Sequence, residues 1–226
     1  GQRHVFPGRL GWMVPPSQEL AGRISRLMVR GGAIRVFIAL EISDAARSSL
    51  SGAIDGLKAA IPRGVRWVDP RGIHLTLKFL GNIEPRRVDG ILESMVRVGQ
   101  EVSSFSLTLA GLGVFPNQRQ PRVLWAGVAG DMAPLTGVQL GVEEAMAEQG
   151  FAKERRSFNP HLTIGRVRDG VSASEWQKIG TSVTSCSFES TESWMAETMH
   201  LFQTTFTPDG SIHDIIGSAP LLRPHG

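Results

Sequence analysis

Ile73-His74-Leu75-Thr76-Leu77-Lys78-Phe79-Leu80-Gly81 reads as a β-strand: apolar residues recur at every second position through its first half and turn-forming sequence precedes it. Side chains on a strand alternate between faces, so His74 and Thr76 share one face while Ile73, Leu75, Leu77 and Phe79 take the other. The imidazole and the hydroxyl are then about 7 Å apart along the chain. The pattern returns in Pro160-His161-Leu162-Thr163-Ile164-Gly165-Arg166, where His161 and Thr163 repeat the arrangement with Leu162 and Ile164 behind them. One histidine on a strand is more often a satisfied core or surface residue than a catalyst. Two His-Leu-Thr strands in equivalent contexts make that bland reading much weaker.

Outward from the first motif, the flanking sequence sets the fold class. Ile34, Val36, Ile38 and Leu40 alternate with Arg35, Phe37 and Ala39, a strand of period two. Ser43 and Asp44 offer a helix cap, and Leu50, Ile54, Leu57 and Ile61 form a helical stripe ended by Pro62 and Gly64. A short strand through Val65 and Trp67 reaches the turn Asp69-Pro70-Arg71-Gly72. After the motif, Val88, Ile91, Leu92, Met95 and Val98 mark another helix, and strands follow around Phe105–Leu109 and Arg122–Val128. The second half repeats the theme: a helix through Leu135, Val138, Val142 and Met146, the second motif strand, a helix near Ser174–Val183, and two final strands near Trp194–Phe206 and Ser211–Ile216. Pro208-Asp209-Gly210 is the turn between those two. The expected architecture is α+β: two pseudo-symmetric lobes with antiparallel sheets flanked by helices around a central cleft. Residues 34–226 form that unit. Residues 1–33 read as an appended N-terminal extension, broken early by Pro7, Pro15 and Pro16, with Ser17 capping a short helix through Leu20, Ile24, Leu27 and Met28.

Bulk composition narrows the function classes. Hydrophobic residues make up 41% and charged residues 20% of the 226 residues, a globular balance rather than a disordered one. A net charge of +3 suits an anionic substrate without requiring one. The single Cys186 excludes an internal disulfide and a multi-cysteine metal cluster, and fits a reducing, cytoplasmic location. No apolar run approaches a membrane span, and the arginine-rich start does not resemble a signal peptide.

The motif pair suggests a chemistry. Opening a phosphodiester requires one group to take a proton from water and another to give one to the leaving alkoxide. Imidazole suits both tasks near neutrality. One histidine per lobe places the two on opposite sides of a phosphorus atom. Each threonine hydroxyl can then bond a non-bridging phosphate oxygen. The scheme uses no metal and no cofactor.

From about Ile34 to Leu222 the chain resembles the RNA 2',3'-cyclic phosphodiesterases, also called 2'-5' RNA ligases, of the two-histidine phosphoesterase superfamily. The likeness rests on Arg35-Val36-Phe37-Ile38-Ala39, Arg66-Trp67-Val68, the first motif strand, Gly113-Val114-Phe115-Pro116, Pro121-Arg122-Val123-Leu124-Trp125 and Phe158-Asn159-Pro160-His161-Leu162-Thr163-Ile164-Gly165-Arg166, in family order. The resemblance implies that His74 donates a proton to the departing ribose oxygen and that His161 accepts one from water. It further implies a 2'-phosphate product, a reaction that can run backwards as ligation, and RNA ends such as those of tRNA fragments as partners of a monomer. Arg166 matches a position the family uses for phosphate or nucleotide contact. Strict alternation puts Arg166 on the Leu162 face, away from His161, unless Gly165 permits a bulge or strand end that turns it back.

Phe115, Arg119 and Arg122 are candidates to meet an RNA base and backbone. The chain has no Tyr, and where the family often shows tyrosines in the last two strands it has Phe202 and His213; a surface position is expected for His213. His4, His200 and His225 carry no partnered pattern. Two rival readings remain: a cyclic phosphodiesterase acting on small nucleotides such as ADP-ribose cyclic phosphate, and a non-catalytic RNA-binding module. The intact motifs count against the second.

Overall fold

The computed structural model describes residues 32–208 and 210–223. The helix expected between Ser17 and Met28, His4, His225, and Asp209 of the last turn lie outside the described residues. The chain runs β1 (Ile34–Leu40), α1 (Asp44–Ala60), β2 (Val65–Trp67), a 3-10 turn (Pro70–Gly72), β3 (Leu75–Ile83), a second 3-10 turn (Pro85–Arg87), α2 (Val88–Gly99), β4 (Phe105–Phe115), β5 (Val123–Gly130), α3 (Met132–Glu148), β6 (His161–Val167), α4 (Ala173–Thr184), β7 (Glu189–Ala196), β8 (Thr198–Thr207) and β9 (Gly210–Pro220).

These elements make two antiparallel sheets, one ordered β3-β1-β8-β9 and the other β2-β6-β5-β4-β7. Helices α2 and α3 pack on the first sheet, and α1 and α4 on the second. Each sheet thus has one helix-covered face and one open face, the two-lobed α+β arrangement. The local signals act as expected. Ser43 caps α1 by accepting from the Ala46 N–H, and Leu50, Ile54 and Leu57 are buried along one stripe. Each such fully buried side chain contributes about 1.5–3 kcal/mol.

The lobes are not the two halves of the sequence. The strand expected from Trp194 to Phe206 is two strands that part at Glu197, β7 joining the second sheet and β8 the first. The buried apolar residues Trp194, Ala196, Met199 and Leu201 are spaced two, three and two, a one-residue slip that fits a bulge within one strand as well as a change of sheet. The first sheet is therefore built from both ends of the domain, and its last strands complete the lobe begun by β1 and β3. The strands β3 and β6 approach one another across the seam between the sheets, Cα to Cα within 8 Å. Among the described residues no helix is long and apolar enough to cross a membrane.

Candidate active site

The two motif strands carry the same irregularity. In the pairing of β1 with β3, Ile38 faces Lys78 and Ala39 faces Thr76, leaving Leu77 as an extra residue. In the pairing of β5 with β6, Leu124 faces Gly165 and Trp125 faces Thr163, leaving Ile164 as an extra residue. Each bulge falls three residues after its histidine. A bulge shifts the alternation by one. Leu77 and Lys78 are both buried, and Phe79 emerges 67% exposed on the face of His74 and Thr76. Ile164 and Gly165 are likewise both buried, and Arg166 emerges exposed on the face of His161 and Thr163, with Val167 buried again. The expectation that Phe79 sits behind His74 is thus wrong, because it counted alternation through Leu77. For Arg166 the bulge route, not strict alternation, is the one taken. Gly165 lies under β2: a Cβ there would meet the Val65 side chain at 2.9 Å and the Trp67 ring at 3.2 Å.

His74 lies one residue before β3, at the end of the Asp69–Gly72 turn. Asp69 caps that turn from the Arg71 N–H, and its hydrogen bonds from Arg71 hold its carboxyl down at about 2. Arg47 on α1 donates to the carbonyls of Pro70 and Ile73, fixing the backbone on the motif side of the turn. The imidazole stacks on Phe37 at 4.6 Å and Phe202 at 5.0 Å, with His213 edge-on at 5.2 Å. Phe37, Ala39 and Phe202 form a small buried cluster on the open face, separate from the main core. A recess of about 250 Å³ opens beside it, lined by Glu41, Arg47, His74, Phe202, His213 and Ile215 among others.

Burial, then the neighbouring His213 and Arg47, push the His74 imidazole down to about 3. The ring is therefore neutral at pH 7 when no anion stands beside it. The folded pKa lies below the ordinary value near 6.5, so the unfolded chain binds the extra proton first as pH falls. His74 thus contributes stability that is present above pH 6.5 and lost as pH drops toward 3, by up to about 1.4 kcal/mol per pH unit. His200 and His213, also lowered by burial, act in the same direction. Urea midpoints at pH 7 and pH 4.5 should therefore differ, and the difference should shrink in His74→Asn; an equal difference would contradict the burial of this ring.

His161 opens β6 and sits edge-on to Phe115 at 5.1 Å, which in turn packs on Trp125 at 5.2 Å. The Trp125 ring lies across Gly113, where a Cβ would come within 2.2 Å of it. His161 Nδ1 is 2.7 Å from the Asn159 carbonyl oxygen. A carbonyl only accepts, so Nδ1 carries the hydrogen and the neutral ring presents Nε2 as a lone-pair acceptor. Thr76 and Thr163 are half-buried on the open faces, and neither hydroxyl has a protein partner among the described residues.

Several sequence-level candidates land elsewhere. Arg122 pairs with Asp169 and lies over the Trp176 ring of α4, away from His161. Arg119 lines a different recess, beside Ala173 and Gln177 at the start of α4. Phe115 buttresses His161 rather than standing free. His213 is half-buried rather than free on the surface: it flanks His74, with Nδ1 3.2 Å from the Thr204 hydroxyl. His200 bridges Ser218 and Glu41 beside Phe202. Phe202 stands where the resemblance expects a tyrosine; its stacking with Phe37 against His74 depends on pairing between strands from opposite ends of the domain, which no local sequence signal carries.

Residues 40–125 match the model of the family described as LigT like phosphoesterase. An RNA 2',3'-cyclic phosphodiesterase of Geobacillus stearothermophilus is 36% identical over 59% of this chain, although the match spans only 42% of that protein. The protein of the same description from Thermotoga maritima is 30% identical over 81% of this chain and 93% of its own length. Among solved structures, the Thermus thermophilus protein TT0787 superposes with a TM-score of 0.67 at 24% identity, over 85% of this chain and all of that one. Escherichia coli LigT superposes with a TM-score of 0.65 at 21% identity, over 85% of this chain and 99% of that one.

Proposed function

Since this chain belongs to the RNA 2',3'-cyclic phosphodiesterase family, we propose that it opens RNA 2',3'-cyclic phosphate ends to 2'-phosphomonoesters through His74 and His161. The observation that carries this reading is the repeated His-x-Thr strand, bulged three residues after each histidine: each open face offers a motif imidazole and a motif hydroxyl that has no protein partner among the described residues. The strands that hold them meet at the seam between the sheets.

In this reading His161 is the base. Its Nδ1–H is committed to the Asn159 carbonyl, so Nε2 takes a proton from the attacking water. Water oxygen bonds to phosphorus, the bond from phosphorus to the 3'-oxygen breaks, and His74 gives its proton to that oxygen. Burial disfavours the charged form of His74, while the negative phosphate favours the imidazolium, so substrate and proton arrive together. Thr76 and Thr163 donate to the non-bridging oxygens and hold the charge that develops there. Arg166, turned onto the same face by the bulge, adds a guanidinium for phosphate. A 5'-hydroxyl end in place of water, losing its proton to His161 and attacking the same phosphorus while the bond to the 3'-oxygen breaks and His74 protonates that oxygen, gives a 2'-5' linkage as a side reaction. Both imidazoles come from one chain, so a monomer suffices, and residues 34–226 make the catalytic unit. A reducing, cytoplasmic setting suits the lone Cys186 and an RNA substrate.

Phe79 presents a bare ring on the His74 face, 5.8 Å from Phe37. An exposed aromatic there suits stacking of the terminal base, worth about 1–3 kcal/mol. Phe79→Ala should raise KM about tenfold on a cyclic-ended RNA and leave kcat within a few-fold. A kcat effect without a KM effect would remove the base from this position.

The function itself is tested by supplying a short RNA with a 2',3'-cyclic end beside ADP-ribose cyclic phosphate, at equal concentrations. Faster opening of the RNA supports the proposal. Preference for the small nucleotide would move the substrate class, and binding without turnover of either would make the chain an RNA-binding module.

A further inference from the structure

Arg66 on β2 and Arg166 on β6 are directly opposed in register. Both are exposed. Both stand on the open face with His161 and Thr163, because Val65, Gly165 and Val167 fill the opposite, helix-covered face. Cβ atoms of directly opposed residues are about 5 Å apart, and like charges in that position repel. Among the described residues neither guanidinium has a hydrogen-bond or ion-pair partner. Arg47, Arg71, Arg87 and Arg122, by contrast, are all engaged with carbonyls or carboxylates. Two exposed guanidinium groups held in register on a sheet surface repel one another, an anion between them relieves that repulsion, and their planar forks match phosphate oxygens.

The position relative to the histidine separates this anion from the reacting one. His161 faces Gly127 on β5, and Arg166 faces Val123, four residues along that strand. That is about 13 Å between backbone positions. A long side chain lets Arg166 lean back toward Thr163, but Arg66 stands a further strand away, at the edge of the sheet. Arg166 can reach the phosphate between the histidines with one edge of its planar fork and share a second anion with Arg66 at the other, and that second anion is a different group.

We propose that Arg66, together with Arg166, binds a second phosphate of the substrate, the one joining the terminal nucleotide to the rest of the RNA chain. The proposal rests on the phosphodiesterase reading above and makes Arg66 a specificity residue within it. A nucleoside 2',3'-cyclic phosphate with a free 5'-hydroxyl has nothing to put between the arginines, whereas an oligonucleotide does. The site thereby selects polymer ends over cyclic mononucleotides.

The test compares wild type and Arg66→Gln on a cyclic-ended tetranucleotide and on a cyclic mononucleotide with a free 5'-hydroxyl. The ratio of kcat/KM for the tetranucleotide to that for the mononucleotide should fall about tenfold. The salt dependence of tetranucleotide binding should lose about one unit of slope. Thermal stability should hold or rise, since the substitution relieves a like-charge pair. An unchanged ratio overturns the subsite. Equilibrium binding of the 2'-phosphorylated tetranucleotide, measured by fluorescence anisotropy, separates the two levels. Weaker binding by Arg66→Gln with no turnover by wild type would leave the subsite standing and sink the catalytic reading. Equal binding by both proteins would sink the subsite whatever the turnover.

Discussion

His161→Ala and His74→Ala are each expected to lower kcat on a cyclic-ended RNA by about 10²–10⁴-fold, the range that a positioned general acid or base contributes. The two losses have different characters. His161 is oriented by its Nδ1–H on the Asn159 carbonyl and by the Phe115 ring. Removing it takes away the acceptor for the water proton while leaving the phosphate contacts in place, so KM should change little. His74 packs against both Phe37 and Phe202, which also stack on each other, and its removal opens a gap beside that small aromatic cluster. His74→Ala should therefore also lose some stability. A single-turnover assay on each variant, with KM measured beside it, checks both. The double variant should be little slower than the worse single one, because the two imidazoles serve one transition state and their effects are not additive. Full activity in either single variant would contradict the pairing.

The second large effect concerns Lys78, which is only 5% exposed and donates to the Glu143 carboxylate at 2.7 Å and to the Ala152 carbonyl at 2.9 Å. Glu143 also accepts from the Glu154 N–H. The bulge at Leu77 is what turns Lys78 inward, so the pair ties the first motif strand to α3 and to the segment that leads into His161. Lys78→Met would strand a buried carboxylate, at a cost of about 3–5 kcal/mol. Lys78→Met with Glu143→Leu should recover most of that loss, since a buried ion pair often contributes little over well-packed apolar residues. Urea denaturation of wild type and the two variants gives the answer. Equal stability of the single and double variants would show that the carboxylate is not trapped.

Much of this site was legible in the sequence because its determinants are local. Alternation put His74 with Thr76 and His161 with Thr163, and the caps and stripes located the helices that cover the sheets. What could not be read is set by pairing between distant strands. Leu77 and Ile164 are ordinary strand residues; nothing in their chemistry marks them as the extra residue, which is fixed by their registers against β1 and β5. Those two bulges send Phe79 and Arg166 to the open faces and Lys78 to the interior. The aromatic packing against His74 was hidden for the same reason, because Phe37 and Phe202 meet only when β1 pairs with β8. The parting of β7 from β8 at Glu197 has no Gly, Pro or Asn to announce it, so the mixing of early and late strands in one lobe is set by pairing and not by local sequence.

The central claim concerns which ester bond the two histidines break. An RNA ending in a 2',3'-cyclic phosphate, incubated with the protein in excess chelator and resolved to separate 2'- from 3'-monophosphate ends, measures this directly. The predicted result is a 2'-phosphate product, formed undiminished in chelator and absent with either histidine variant. A 3'-phosphate product, or turnover that chelator abolishes, would contradict it.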